Sequence, residues 1–173
     1  MTVAGRSGRV SEPDLPRSDL IDPPRIVQTA ALQTAVVRVV VPRAEIASAM
    51  GPAIAEVLSV LAAQNIAPAG PCFSLHAKRP TDVFDFEVGF PVARAIEPAG
   101  RAIPSWLPAA KVVRTTYRGA YEGLGDAWGA LCAWIAAEGL IAQDGLWESY
   151  SVAPDSSPNP ADWRTELNRP LAA

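Results

Sequence analysis

Gly145-Leu146-Trp147-Glu148-Ser149-Tyr150-Ser151-Val152-Ala153-Pro154 reads as a strand of apolar and aromatic residues around one carboxylate, closed by a proline. Strand side chains alternate, so Glu148 and Tyr150 share one face and Trp147 takes the other. Burying an unpaired carboxylate costs several kcal/mol or forces it to take up a proton. Glu148 is therefore either an exposed strand residue or the floor of an apolar cavity where it meets a ligand. The second reading makes the rest of the chain the scaffold of that cavity.

Working outward, Tyr121, Leu124, Trp128, Leu131 and Ile135 recur at helical spacing and Gly139 ends that helix. Lys111 to Tyr117 before it, and Trp163 to Leu171 after it, read as strands. The order strand, helix, strand, strand also occurs earlier in the chain. Val36 to Val41 is β-branched and stops at Pro42. Ile46, Met50, Ile54, Val57, Leu58 and Leu61 make one helical stripe, stopped near Asn65, a residue that tolerates the left-handed position after a helix. Cys72 to Ala77 and Val83 to Val92 are the next two strands. A shift of 74 carries Met50-Gly51 onto Leu124-Gly125, Asn65 onto Gly139 and Phe73 onto Trp147. A shift of 79 carries Glu87 and Pro91 onto Glu166 and Pro170.

The expected fold is α+β: a duplicated βαββ unit with pseudo-twofold symmetry, antiparallel sheets, one helix packed per half and a ligand cleft at the seam. Repeat one covers about 34–93 and repeat two about 111–172, within a domain at 34–173. Residues 94–110, rich in Pro, Ala and Gly, form a connector. Residues 1–33 are polar and proline-bearing, without period, and are expected to be a mobile tail.

The totals narrow the function. The 173 residues carry a net charge of −3, with no basic footprint for direct nucleic-acid binding. No apolar run approaches the roughly 20 residues of a membrane span, and the N-terminus lacks a signal peptide's apolar centre. One histidine and two isolated cysteines, Cys72 and Cys132, leave neither a metal site nor a disulfide as the expectation. The location expected is cytoplasmic, and no cofactor is implied.

Strand alternation sets the cleft. With Glu148 and Tyr150 inward, the 74 shift places Ser74 and His76 there too, and leaves Phe73 and Leu75 on the helix side with Trp147. Tyr121, at a helix start, leans over the cleft, and Trp106 on the connector is a wall, a lid or a cover for the core. His76 also fits a hydrogen-bonded sheet position. Trp128 and Trp134 fit core positions, and Trp163 a packing anchor. Glu87 and Glu166, at one repeat position, suit structural pairing with Arg94 or Arg169.

Arg118-Gly119-Ala120-Tyr121-Glu122-Gly123-Leu124-Gly125, Trp134-Ile135, Trp147-Glu148-Ser149-Tyr150 and Trp163-Arg164-Thr165-Glu166-Leu167 together resemble the GyrI-like small-molecule-binding domain, the effector-binding part of multidrug-responsive transcription regulators. Phe73 and Phe86 to Val92 resemble its first half. The resemblance spans about residues 34–172 and implies a duplication of the SHS2 type. It also implies an aromatic pocket with a basal glutamate, here Glu148, that receives lipophilic cations. Ala120 and Tyr117 depart from the commoner family pattern. The ligand-binding set expected is Glu148, Tyr150, Tyr117, Tyr121, Trp106, Ser74, His76, Trp147 and Phe73.

Three functions are consistent with that set. The first is a stand-alone binder of small lipophilic, cationic or aromatic molecules. The second is a hydrolase of cyclopropane-bearing genotoxic natural products, with Glu148 as acid or base and Tyr117, Tyr121 or Tyr150 holding the substrate's oxygen, Tyr117 being the catalytic partner expected; a branch of the family resembles such enzymes. The third is a topoisomerase-inhibitor-like module that binds a protein partner or pairs as a homodimer.

Overall fold

β-Branched residues fill the longest strand, and in the computed structural model, which describes residues 20–172, the chain is extended from Leu32 to Pro42 (β2). A four-residue strand, Arg25–Gln28 (β1), precedes it. The helix Ile46–Ala63 (α1) and the strands Phe73–His76 (β3) and Val83–Pro91 (β4) complete the first half. The second half repeats the order: Ala102–Leu107 (β5), Lys111–Arg118 (β6), the helix Leu124–Ala137 (α2), Leu146–Val152 (β7) and Arg164–Pro170 (β8). A single turn of 3-10 helix leads into each α-helix. Both helices stop on a left-handed residue, Asn65 at φ 54° and Gly139 at φ 69°, as their sequence positions predict.

The eight strands form one antiparallel sheet in the order β1-β6-β8-β7-β3-β4-β2-β5. The expected two sheets are joined because β3 pairs with β7, from Phe73 opposite Ser149 to His76 opposite Leu146. The order is palindromic about that seam. Each half's first long strand lies next to the edge, and the edge itself is a short strand of the other half's sequence neighbourhood: β1 on β6, β5 on β2.

Those short strands correct two expectations. Part of the presumed tail is ordered, since Ile21 bridges to Tyr117, β1 pairs with β6 and β2 begins at Leu32; residues 1–19 of that tail lie outside the described residues. The presumed connector holds β5, which carries Pro104 and Trp106. Proline is tolerated there because, among the described residues, β5 is an edge strand bonded only to β2. Both strands are made by distant pairing, so local pattern is weak in each. The membrane expectation also changes: Arg43–Ala63 is long and apolar enough to span by length and composition, with a mean hydropathy of 1.7. In this fold its Ala53, Val57 and Leu61 pack on the sheet.

Alternation sorts the core. Ala35, Val37 and Val39 of β2, with Phe86 and Val88 of β4, meet α1. Val113, Tyr117 and Leu167 meet Ala127, Leu131 and Ile135 of α2. Ser74 is opposite both Val88 and Glu148, and Glu148 is bonded to α2, so the two helices cover the same face. Val36, Phe73, Leu107, Val112 and Trp147 form a third cluster on the other face.

The sheet is strongly curled. β1 and β2 stand six strand steps apart, about 29 Å in a flat sheet. Only residues 29–31 join them, a reach of about 15 Å. Residues 108–110 make the matching jump from β5 to β6. The two connectors cross and bond, Thr29 donating its N–H to the Ala110 carbonyl at 2.8 Å. The curl closes over the face away from the helices, which is why Val36 and Val112, from distant strands, share one cluster.

Candidate functional site

Glu148 lies on the helix face of β7, at the seam between the halves. The Trp128 indole N–H of α2 donates to its Oε1 at 2.7 Å, and the Tyr150 hydroxyl donates to its Oε2 at 2.9 Å. The Ser74 and Tyr150 hydroxyls are 2.9 Å apart; with Tyr150's proton committed to the carboxylate, Ser74 is the donor. A relay therefore runs from Ser74 through Tyr150 to Glu148, with Trp128 on the other oxygen.

Aromatic rings continue outward. Tyr121 meets Tyr150 edge-on at 5.8 Å and tilts against Trp163 at 4.9 Å. Glu148, Tyr150, Trp128, Tyr121 and Trp163 are all partly exposed, so the cluster reaches solvent. Among the described residues no lysine, arginine or histidine forms an ion pair with Glu148. Burial pushes its carboxyl pKa up, against the two donated hydrogen bonds, which pull it down. Burial also pushes the Tyr150 phenol well above its usual value, helped by the Glu148 charge. The neighbouring Cys72 thiol is pushed up to about 12 by burial, so it stays protonated and is no nucleophile.

The expected residues divide. Glu148, Tyr150, Ser74 and Tyr121 come together. His76 lies on the same face but outside the cluster, stacked on Phe86 at 4.9 Å and edge-on to Phe84 at 5.9 Å. Its Nδ1 is buried without a partner among the described residues, and burial lowers its pKa to about 4. It is neutral at physiological pH.

Tyr117 is on the helix face, but its hydroxyl donates to the Ala120 carbonyl at 2.6 Å. A Cβ on Gly123 would lie 2.0 Å from that hydroxyl oxygen. The Arg118-to-Gly123 turn is thus shaped around Tyr117, and no free hydroxyl faces Glu148 from there. Phe73, Leu75 and Trp147 are corrected: they lie on the face opposite the helices, with Phe73 and Trp147 buried in the third cluster. The cleft is itself on the helix side, so residues out of phase with Glu148 point away from both. Trp106 is 57% exposed on β5 and is not among the hydrogen-bond partners of Glu148.

The structural carboxylates also found other partners. Glu87 accepts from the Ser105 hydroxyl at 3.0 Å, and Glu166 pairs with Arg114 at 3.3 Å. The residue missed by sequence reasoning is Trp128. It occupies the stripe by spacing, yet the buried line of α2 is Ala127, Leu131 and Ile135, which leaves Trp128 on its flank. The available signal was chemical: a half-buried indole N–H needs an acceptor, and Glu148 is one.

Two hollows are present elsewhere. One of about 280 Å³ lies inside the curl, lined by Trp147, Ser149, Arg114, Glu166, Leu107 and Pro108 among others. A second, of about 420 Å³, involves Trp106, Leu75, His76 and Gly145. Neither is lined by Glu148. Both carboxylate oxygens of Glu148 are instead engaged by Trp128 and Tyr150.

A family model described as the GyrI-like small molecule binding domain matches residues 22–172. No curated protein matches the sequence. EcmrR, in its complex with DNA, shares the fold with a TM-score of 0.78 and 22% identity, over 90% of this chain and 59% of its own. The chain thus spans about 59% of that protein's length. SAV2435 bound to tetraphenylphosphonium gives 0.63 and 11%, over 88% and 95%. A hydrolase from Listeria innocua gives 0.60 and 12%, over 86% and 91%. At these identities the likeness is one of fold.

Proposed function

The chain belongs to the GyrI-like small molecule binding domain family, and from that premise we propose that it binds lipophilic cations against Glu148. One observation carries the reading: a carboxylate packed among aromatic rings on the helix face, without a cationic partner among the described residues. Trp128 and Tyr150 hold it in the absence of ligand. An arriving cation supplies the missing charge, and the rings add about 0.5–2 kcal/mol each of cation–π attraction. Space for the ligand comes from swinging Trp128 away, since its indole is part-exposed and comes from α2 rather than from the sheet that carries Glu148. Apolar contact is non-directional, so the site is tolerant of shape.

Tetraphenylphosphonium and tetraphenylborate have nearly the same shape and opposite charge, which makes them the decisive pair. The expected outcome is quenching of tryptophan fluorescence by the phosphonium with a Kd of about 1–100 µM. Glu148→Gln should weaken it about tenfold or more. Equal binding of the borate, or an unchanged Kd in the variant, removes the charge from the mechanism.

A hydrolase remains the second reading on one observation, the placing of the Glu148 carboxylate among aromatic rings with two donated hydrogen bonds; burial raises its pKa, the direction that acid–base work by a carboxyl requires. Tyr117 takes no part in it, because its proton is committed to Ala120. Under this reading the wild type opens a cyclopropane-bearing electrophile and Glu148→Gln does not; equal rates in the two proteins count against it.

A further inference from the structure

The hollow inside the curl has a composition unlike that of the Glu148 site. Leu107, Pro71, Pro91 and Pro108 form stiff apolar walls and Trp147 a flat one, with the hydroxyls of Ser149 and Ser151 beside them. Arg114 and Glu166 supply its charge. Arg114 lies on β6 and is held from behind: its Nε donates to Oδ1 of Asn168 at 2.7 Å, and Asn168 is fully buried. Glu166 Oε1 is 3.3 Å from the same Nε and also accepts from Asn168 Nδ2 at 3.3 Å. Among the described residues neither terminal nitrogen of Arg114 makes a hydrogen bond, and the closest approach of its ion pair with Glu166 is through Nε. The guanidinium is thus oriented by a buried amide, partly neutralised along one edge, and left with its two-pronged end unused.

We propose that this hollow is a second binding site, selective for a small aromatic carboxylate, with Arg114 as its anion receptor. A carboxylate matches the unused prongs with two parallel charge-assisted hydrogen bonds. The flat ring of the ligand lies against Trp147 and the prolines. At about 280 Å³ the space is at the small end of ligand pockets, so one or two fused rings fit and a larger lipophilic cation does not. Ser149 faces the same space and provides a hydroxyl for the ligand's second polar group. The site owes nothing to Glu148, which is on the other face of β7.

The test is a titration of the whole protein with 2-naphthoate, read from the indole N–H signals in nitrogen–proton NMR spectra and assigned by tryptophan-to-phenylalanine variants. The Trp147 signal should move saturably with a Kd of about 0.1–1 mM while the Trp128 signal stays still. Arg114→Gln should raise that Kd about tenfold or more, Arg114→Lys should recover only part of it, and Glu148→Gln should leave it unchanged. Ser149→Leu, which adds bulk inside the hollow and leaves the Arg114 and Asn168 side chains themselves unchanged, should abolish binding and decides the matter where Arg114→Gln folds poorly. 2-Naphthylmethylammonium should not move Trp147. The proposal is overturned by no saturable Trp147 shift up to about 10 mM, by equal binding in Ser149→Leu, or by the ammonium binding as well as the carboxylate, which would make Glu166 the receptor.

Discussion

Glu148 and His76 sit on one face of the central strand pair, and burial drives both toward neutrality with opposite pH signatures. The Glu148 carboxyl holds its proton more tightly folded than unfolded, so stability falls as pH rises from the ordinary value of 4.5 through the raised folded value. Glu148→Gln should therefore melt a few degrees higher than wild type at pH 8, with the gap closing towards pH 4; a lower melting temperature at pH 8 would mean the carboxylate is a net asset without ligand. His76 runs the other way. Its pKa drops from 6.5 to about 4, so its contribution is complete above pH 6.5 and is lost as pH falls towards 4. The full effect is about 3 kcal/mol. His76→Phe, which keeps a ring on Phe86, should flatten the stability profile between those pH values in urea titrations. The sequence showed the acid in its apolar strand because a lone charge breaks such a pattern. It hid Trp128, because an indole on a helical stripe looks the same whether its N–H is idle or bonded to a carboxylate 20 positions away.

At the scale of elements, helix ends were legible and sheet edges were not. Asn65 and Gly139 announce their helix stops because few residues accept a positive φ. Gly139, at φ 69°, has open space where a Cβ would go. Gly139→Ala therefore tests backbone conformation alone and should cost about 1 kcal/mol. Gly129 has the same open space but lies inside α2, so Gly129→Ala should gain about 0.5–1 kcal/mol. Opposite signs for two glycine-to-alanine changes, read as urea midpoints, would confirm that φ and not crowding separates them. β1 and β5 gave no such signal. Four residues behind Pro23-Pro24, and six containing Pro104, become strands only because β6 and β2 present unpaired edges to them. Phase was the other loss. Alternation correctly grouped Glu148, Tyr150 and Ser74, but it cannot say which face the helices cover, and Phe73 and Trp147 were put on the wrong side for that reason.

For the whole molecule, the repeated element order was readable, whereas the crossing that binds the halves was not, since it depends on two three-residue connectors meeting in space. Thr29 is the clasp. Its hydroxyl lies 2.9 Å from the Pro108 carbonyl and 3.1 Å from that of Ala110, and it accepts the Ala110 N–H at 3.0 Å. Thr29→Val keeps the shape and removes all three contacts, leaving the Ala110 N–H without its acceptor, at a cost of about 1–3 kcal/mol. Where that loss is felt distinguishes two pictures of the sheet. If the halves were independent layers, only β1 and its partner β6 would loosen. With the connectors crossed, releasing Thr29 also frees residues 108–110, so β5 should lose its hold on β2 near the far edge of the strand order. Amide exchange in Thr29→Val should therefore quicken in both the β1–β6 and the β5–β2 ladders, while β3–β7 at the seam stays protected, and Thr29→Ser should restore both edges together. Faster exchange confined to β1–β6 would show that the curl is held by the packing of Val36, Val112 and Trp147 rather than by the crossing.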